Sequence, residues 1–345
     1  MSPFVADYVS FDAFITIHIS ISVFLLAIEN NNPGEIMIYT LTLNPALDRE
    51  LLVPEITYGN VIRTSEINID IGGKGFNVSR MLSIMGINNV AVGFLGKKTG
   101  EIMADGLEAL KIKADIIWIN EETRTNISIV SKLNNQHIKV NENGPFVSLV
   151  EQNKLLQHLE NTVQPDDWFV LAGSLPRNIH SDYYARIINI AQSHNAKVIL
   201  DTSGEALELS LSEKPYLIKP NHKEACEISG LPGNTIDEIK TVASFLRKKG
   251  AQNVVISLGD KGAFLQTDEG SWVITSPKII EKNPIGAGDS LVGGILYGIS
   301  NNLNLQEALK WGVACGAITA SLHGTQMGSI EMITSLHSLV NIEKV

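Results

Sequence analysis

The sequence predicts an α/β protein built on a mostly parallel sheet covered on both faces, and three observations carry that prediction. Short apolar runs at 168–172, 197–200 and 253–257 are continuous, as in strands buried on both sides. Segments of helical periodicity, such as 149–162 and 181–194, separate these runs as in repeated strand and helix units. Polar residues and glycines gather just past the strands, where ligands sit in such sheets: Gly173-Ser174, Asp201-Thr202-Ser203-Gly204, Lys219-Pro220-Asn221 and Leu258-Gly259-Asp260-Lys261-Gly262.

A chain of 345 residues, 44% hydrophobic and 19% charged, can bury a sizeable core. Its formal charge of −10 argues against a nucleic-acid partner, because duplex binding rests on basic residues that neutralise phosphates. Any anionic ligand must instead be held by a few local cations, and Arg63, Lys74, Arg80 and Arg124 are the candidates. Cys226 and Cys315 are the only cysteines, both in helical patterns, which indicates free thiols in a reducing cytoplasm. No CxxC or HExxH zinc spacing occurs.

The apolar run at 13–28 is shorter than the ~18 to 20 residues of a spanning helix. Asp7 and Asp12 precede it where a signal peptide carries basic residues, so membrane attachment and secretion are both disfavoured. A polar stretch at 29–35 separates it from Met37, where the sequence begins to read as a domain. We expect translation from Met37, with 1–36 an extension outside the fold and 37–345 the folded domain.

Taken in order, 37–43 alternates as a strand that ends at Asn44-Pro45, with Asp48 on the following turn. Residues 50–56 and 61–71 alternate around Gly59-Asn60 as an antiparallel flap. The 72–80 loop opens a helix whose Val78, Met81, Leu82 and Met85 share one side before Gly86 stops it. A strand at 90–95 and a helix at 99–111 follow, then strands at 115–119, 126–131 and 136–141, the last two paired around Asn134-Asn135. Beyond the turn at 141–145 come the strand and helix units, with a strand at 216–218, Glu224 on the next helix and a hairpin at 263–274. A final helix at 305–322 has Asn304 and Glu307 placed as a variant capping box.

Two glycine loops carry the chemistry. Gly286-Ala287-Gly288-Asp289 runs into an apolar helix beginning near Ala287 or Gly288, so consecutive amides and the positive helix end form an anion site. Asp289 either caps that helix or takes a proton from a hydroxyl attacking phosphorus. The second loop, Gly72-Gly73-Lys74-Gly75-Phe76-Asn77, is no dinucleotide fingerprint, since Val78 stands where the last glycine belongs. It is no P-loop, because Gly75 follows Lys74 where Ser or Thr would bind magnesium. Small residues beside a lysine suit close approach to a polyol and a phosphate. Thr123-Arg124-Thr125-Asn126 adds a fixed cation and amides at a strand start.

In this order, Gly72-Gly73-Lys74-Gly75-x-Asn77, Lys219-Pro220-Asn221-x-x-Glu224, Ser257-Leu258-Gly259-x-x-Gly262 and Gly286-Ala287-Gly288-Asp289 resemble the ribokinase-like (phosphofructokinase B) carbohydrate kinases. Thr42-Leu43-Asn44-Pro45-Ala46-Leu47-Asp48 and Gly173-Ser174-Leu175-Pro176 narrow the resemblance to the phosphosugar branch, over residues 37 to about 340. It implies a three-layer sandwich with a small β-sheet lid drawn from about 48–71 and 115–142, a homodimer formed through the lid, and ATP with Mg2+. Asp289 would be the catalytic base, with the amides of Gly286, Ala287, Gly288 and Asp289 as the anion hole. Asn221 and Glu224 would organise the metal, largely through water. Lys219, Ser257, Gly259, Asp260 and Gly262 would line the nucleotide site.

Asp48, Gly72, Gly73, Lys74 and Asn77 would hold the sugar, and Arg63, Arg124 and Asn126 its phosphate. The implied acceptor is a ketohexose phosphate. Lys74 and the Thr-Arg-Thr-Asn stretch favour D-fructose 1-phosphate, with tagatose 6-phosphate and fructose 6-phosphate as alternatives. His-Ile-Lys-Val-Asn-Glu-Asn at 137–143 departs from the Thr-Glu-Ile-Asn expected of 1-phosphofructokinases. A non-catalytic sugar-phosphate sensor would have little use for Asp289 and Glu224 together.

Overall fold

The computed structural model describes residues 36–134 and 136–345. The expectations for the 13–28 run, for the extension up to residue 35 and for Asn135 lie outside the described residues. Met37–Val345 form one unit.

β1 (Ile38–Thr42) is buried at every position. β2 (Ala46–Val53) follows after only three residues, so Asp48 sits inside a strand and not on the expected turn. It is a strand there because β2 is paired on both sides. β3 (Glu66–Gly72) lies antiparallel to it, and β6 (Arg124–Ser131) runs parallel to it with Asp48 opposite Asn126. Helix α1 (Lys74–Ile84) then buries Val78, Met81 and Leu82, as the periodicity predicts, and Gly86 follows with φ 74°. β4 (Val90–Gly96), α2 (Lys97–Ala109) and β5 (Lys113–Ile119) form a parallel crossover.

That crossover corrects the expected lid. β5 pairs with β4 along its whole length and belongs to the large sheet, so the lid is β3-β2-β6-β7, with β7 (His137–Asn141) closing its far edge. A helix between two strands returns the chain parallel to the first, and the α2 crossover accordingly lays β5 beside β4 in the large sheet.

The remaining units are α3 (Leu149–Thr162), β8 (Trp168–Ala172), α4 (Tyr183–Ser193), β9 (Lys197–Asp201), α5 (Gly204–Ser210), β10 (Leu217–Ile218), α6 (His222–Ser229), α7 (Ile236–Lys249) and β11 (Asn253–Ser257). The hairpin β12 (Ala263–Gln266) and β13 (Ser271–Thr275) precedes α8 (Ala287–Ser300), α9 (Leu305–Ala320), α10 (Ile330–His337) and β14 (Asn341–Lys344). The large sheet has the order β14-β13-β12-β11-β10-β9-β8-β1-β4-β5, parallel from β11 to β5 and antiparallel at the β14 end. No helix among the described residues is long and apolar enough to cross a membrane.

Alternation along each strand splits the core into two layers. Leu41, Leu171, Leu200 and Ile256 face α3, α4 and α7, while Ile38, Val170, Ile199 and Val255 face α1, α8 and α9. A third cluster sets Leu47, Ile71 and Phe76 against Met103 and Leu107 of α2, which anchors the base of the lid. The chain leaves β1 first towards β4 and later, through α3, towards β8 on the other side. Such a reversal opens a crevice at the strand carboxyl ends.

Candidate active site

The crevice is a cleft of about 1420 Å³ bounded by the carboxyl ends of β1, β8 and β9, the lid and the mouth of α8. Gly286 caps α8 with φ 79°, a left-handed conformation that side chains resist, and the turn sets Gly286, Ala287, Gly288 and Asp289 on the cleft wall, although Ala287 N already donates to Pro284 O at 3.2 Å and is not the open amide expected of an anion hole. Asp289 lies in that first turn. It is 6% exposed, and its Oδ2 accepts from Asn77 Nδ2 at 2.8 Å. Burial, reinforced by the neighbouring Asp201, pushes its carboxyl up to about 6 against the pull of Lys74, Asn77 and Lys219.

Asp201 is the residue that sequence reasoning missed. It ends β9 with its side chain 1% exposed and pairs with two lysines of the cleft, Lys74 Nζ at 3.1 Å and Lys219 Nζ at 3.2 Å. Burial alone would raise its carboxyl, but Lys219 and Lys74 hold it below the usual range. Burial likewise favours a neutral Lys74, yet Asp201 and Asp289 raise its ammonium well above the usual range. Two carboxylates and two ammonium groups thus stand at one point of the cleft. The available signal was a carboxylate at the end of a buried strand followed by Thr-Ser-Gly, and nothing local named its partners.

Asn221 and Glu224 form a reciprocal capping box on α6. Glu224 N donates to Asn221 Oδ1 at 2.9 Å, and Asn221 N donates to Glu224 Oε2 at 2.8 Å. The motif is therefore structural at this helix start, while both side chains still line the cleft. Among the described residues, no cluster of three or more His, Cys, Asp or Glu is placed to hold a metal ion. Ser257, Gly259, Asp260 and Gly262 line the same end, in a tight turn closed by Leu258 N donating to Gly262 O at 2.9 Å.

At the lid end, Asp48 faces the cleft and accepts from Asn126 Nδ2 at 2.8 Å. Burial raises its carboxyl, with Asp70 adding to the effect. Gly73, Lys74, Asn77 and Arg124 also line the cleft. Gly72 backs Asp48, since a Cβ there would collide with the carboxylate. The Arg124 guanidinium donates to the carbonyls of Asn44 and Glu142, each at 3.0 Å, so it ties the lid to the end of β1 as well as facing the cleft. Asn44, another residue not foreseen, lines the cleft with a buried Oδ1 that has no hydrogen-bond partner, and Asn126 Oδ1 is likewise unpaired. Arg63 is exposed in the loop between β2 and β3 and is not among the residues that line the cleft.

The sequence matches the family described as pfkB family carbohydrate kinase over residues 35–332. It is 35% identical over 309 residues to the 1-phosphofructokinase of Bacillus subtilis (strain 168), covering 90% of this chain and 100% of that protein. It is also 35% identical over 287 residues to a tagatose-6-phosphate kinase of Staphylococcus epidermidis (strain ATCC 12228), covering 82% of this chain and 92% of that protein. The fold is similar to that of Escherichia coli phosphofructokinase-2 in complex with fructose-6-phosphate. That likeness has a TM-score of 0.82 and 27% identity, over 88% of this chain and 99% of the other.

Proposed function

The chain belongs to the pfkB family of carbohydrate kinases, and on that premise we propose that it transfers the terminal phosphoryl group of ATP to the 6-hydroxyl of D-fructose 1-phosphate, giving the 1,6-bisphosphate. The observation that carries the reading is Asp289, buried at a helix mouth, restrained by Asn77 and lying beside two paired lysines. In the reaction, an Asp289 oxygen takes the proton of the sugar hydroxyl while the hydroxyl oxygen of the sugar bonds to phosphorus. The bond from phosphorus to the bridging oxygen breaks, and its electron pair leaves on ADP. The amides of Gly286, Gly288 and Asp289 stabilise the charge on the transferring group, as positioned dipoles do in a site that excludes water. A carboxyl near 6 is ionised yet basic at neutral pH, which suits this task.

The orphan oxygens of Asn44 and Asn126 are acceptors suited to sugar hydroxyls beside Asp48. Lys74 and Arg124 supply positive charge for phosphate in an otherwise acidic chain. Lys219 and the turn at Ser257–Gly262 would line the nucleotide. Mg2+ fits a site with one carboxylate and one amide at a helix mouth, since it keeps several waters and binds largely through substrate phosphates. Asn221 and Glu224 would hold it through water, and the ion would neutralise the polyphosphate.

A homodimer is supported by the outer face of the lid. Register places Ile67, Leu51, Ile129 and Ile138 in one row and Ile69, Arg49, Ile127 and Val140 in the next, apolar but for Arg49. Ile67, Ile69 and Val140 are 46%, 57% and 56% exposed. An apolar face of this kind marks a contact surface. We place the enzyme in the cytoplasm, with Met37–Val345 as its kinase domain.

Tagatose 6-phosphate is the second reading, favoured by a relative of equal identity. A coupled assay of ADP release with fructose 1-phosphate, fructose 6-phosphate, tagatose 6-phosphate and unphosphorylated sugars tests the assignment. The highest kcat/KM is expected for fructose 1-phosphate. Preference for an unphosphorylated sugar would overturn the phosphosugar reading.

A further inference from the structure

Arg80 lies one helical turn beyond Asn77 on α1 and does not line the cleft, yet its side chain is only 14% exposed. Its guanidinium meets three separate parts of the fold. Nη1 donates to Asp70 Oδ2 of the lid strand β3 at 3.1 Å and faces Asn77 Oδ1 at 3.5 Å. Nη2 donates to the carbonyl of Thr325 at 3.3 Å, and the Thr325 hydroxyl returns a hydrogen bond to Asp70. The Thr325 loop is stapled in turn to the approach of α8, where Asn283 Nδ2 donates to Gly324 O at 2.6 Å and Asn283 Oδ1 accepts from Ile285 N at 3.1 Å.

We propose that Arg80 is a positioning residue that fixes the orientation of Asn77 and braces the lid base against the mouth of α8. The argument follows from donor and acceptor inventories. A guanidinium only donates and an ionised carboxylate only accepts, so the amide between them has one satisfied orientation, with its oxygen towards Arg80 and its NH2 towards Asp289. With Oδ2 held by Asn77, Oδ1 of Asp289 is left to meet the substrate hydroxyl. Asp70 and Thr325 keep the guanidinium from swinging away. Without Arg80 the amide turns freely, and the carboxylate loses its fixed donor and its aim. Misplacement of a reacting group by about 1 Å can cost on the order of 10²-fold in rate.

The inference rests on Asp289 as the base, so the experiment separates the two. In the full chain, Arg80→Met, Arg80→Lys, Asn77→Ala, Asp289→Asn and the double variant Asn77→Ala/Arg80→Met are assayed with ATP and the best ketohexose phosphate. Thermal melts run alongside. Arg80→Met is expected to lower kcat about tenfold with both KM values within about threefold. On the Asn77→Ala background the same change should cost less than about threefold, because its route to Asp289 is already cut.

Arg80→Lys keeps a charge for Asp70 but cannot span all three partners. It should lie between wild type and Arg80→Met, and it stands in for Arg80→Met if that variant does not fold. Equal losses on the two backgrounds, or a kcat within about twofold of wild type, would overturn the proposal. Normal turnover by Asp289→Asn would overturn it together with the base assignment, whereas an inactive Asp289→Asn beside a normal Arg80→Met defeats the bracing role alone.

Discussion

Replacing Asp289 by Asn sets catalysis against stability, and both effects can be sized. Losing a general base costs about 10² to 10⁴ in kcat, with both substrates still bound. The same substitution removes a carboxyl whose folded-state value is pushed from the ordinary 3.8 to about 6. A raised carboxyl is harder to ionise when folded than when unfolded, so the native state carries a penalty at high pH. That penalty fades as pH falls through about 6 towards the unfolded value. Two pH units correspond to roughly 3 kcal/mol, all of it present at pH 8 and less than about 1 kcal/mol of it near pH 4.

Asp289→Asn should therefore melt roughly 4 to 5 °C above wild type at pH 8, given an unfolding entropy of about 2 cal/mol/K per residue. Near pH 4 the difference should nearly vanish. Melting curves across this range, run beside the coupled kinase assay, read both effects. A variant that keeps more than about a tenth of wild-type kcat, or a stability change that ignores pH, would refute the assignment of a strained, buried base.

In the wild type, kcat/KM should fall tenfold per pH unit below about 6 as Asp289 takes up its proton, and a pH-rate profile at saturating Mg2+ checks this. Asp201→Asn strips two lysines of their shared partner and should cost about 3 to 5 kcal/mol in denaturant unfolding, together with most of the activity. Glu224→Gln can still accept from Asn221 N and should melt within about 2 °C of wild type. The Mg2+ concentration for half-maximal rate should nonetheless rise at least about tenfold, read by metal titration. Arg124→Ala should raise KM for the phosphosugar by more than about tenfold and that for ATP by much less. Equal changes would point to its carbonyl contacts at Asn44 and Glu142 as its main role.

The chemistry-bearing residues were legible because their signals are local. Glycines ahead of an apolar helix, Asn-x-x-Glu at a helix start, and polar residues after continuous apolar runs each follow from backbone preferences within a few positions. α3, β8 and β11 accordingly fall where the periodicity puts them. α7 carries the same kind of local signal, a full capping box at Thr235 and Glu238 with Arg247, Lys248 and Lys249 in its last turn. β14, four residues long, has too little pattern to be read as a strand before the β13 edge it completes is known.

Sequence alone determined the α/β class, the family and which loops line the cleft, since these depend on short-range order. Only the tertiary structure decided that β5 joins the large sheet, that Arg63 stays outside the cleft, and that Asp201 neutralises two lysines. It also set Asn77 against Asp289, 212 residues away, and burial there raised the Asp289 carboxyl to about 6. Pairing across such separations, and the loss of water that shifts a carboxyl, are properties of the packed chain and leave no mark on neighbouring residues.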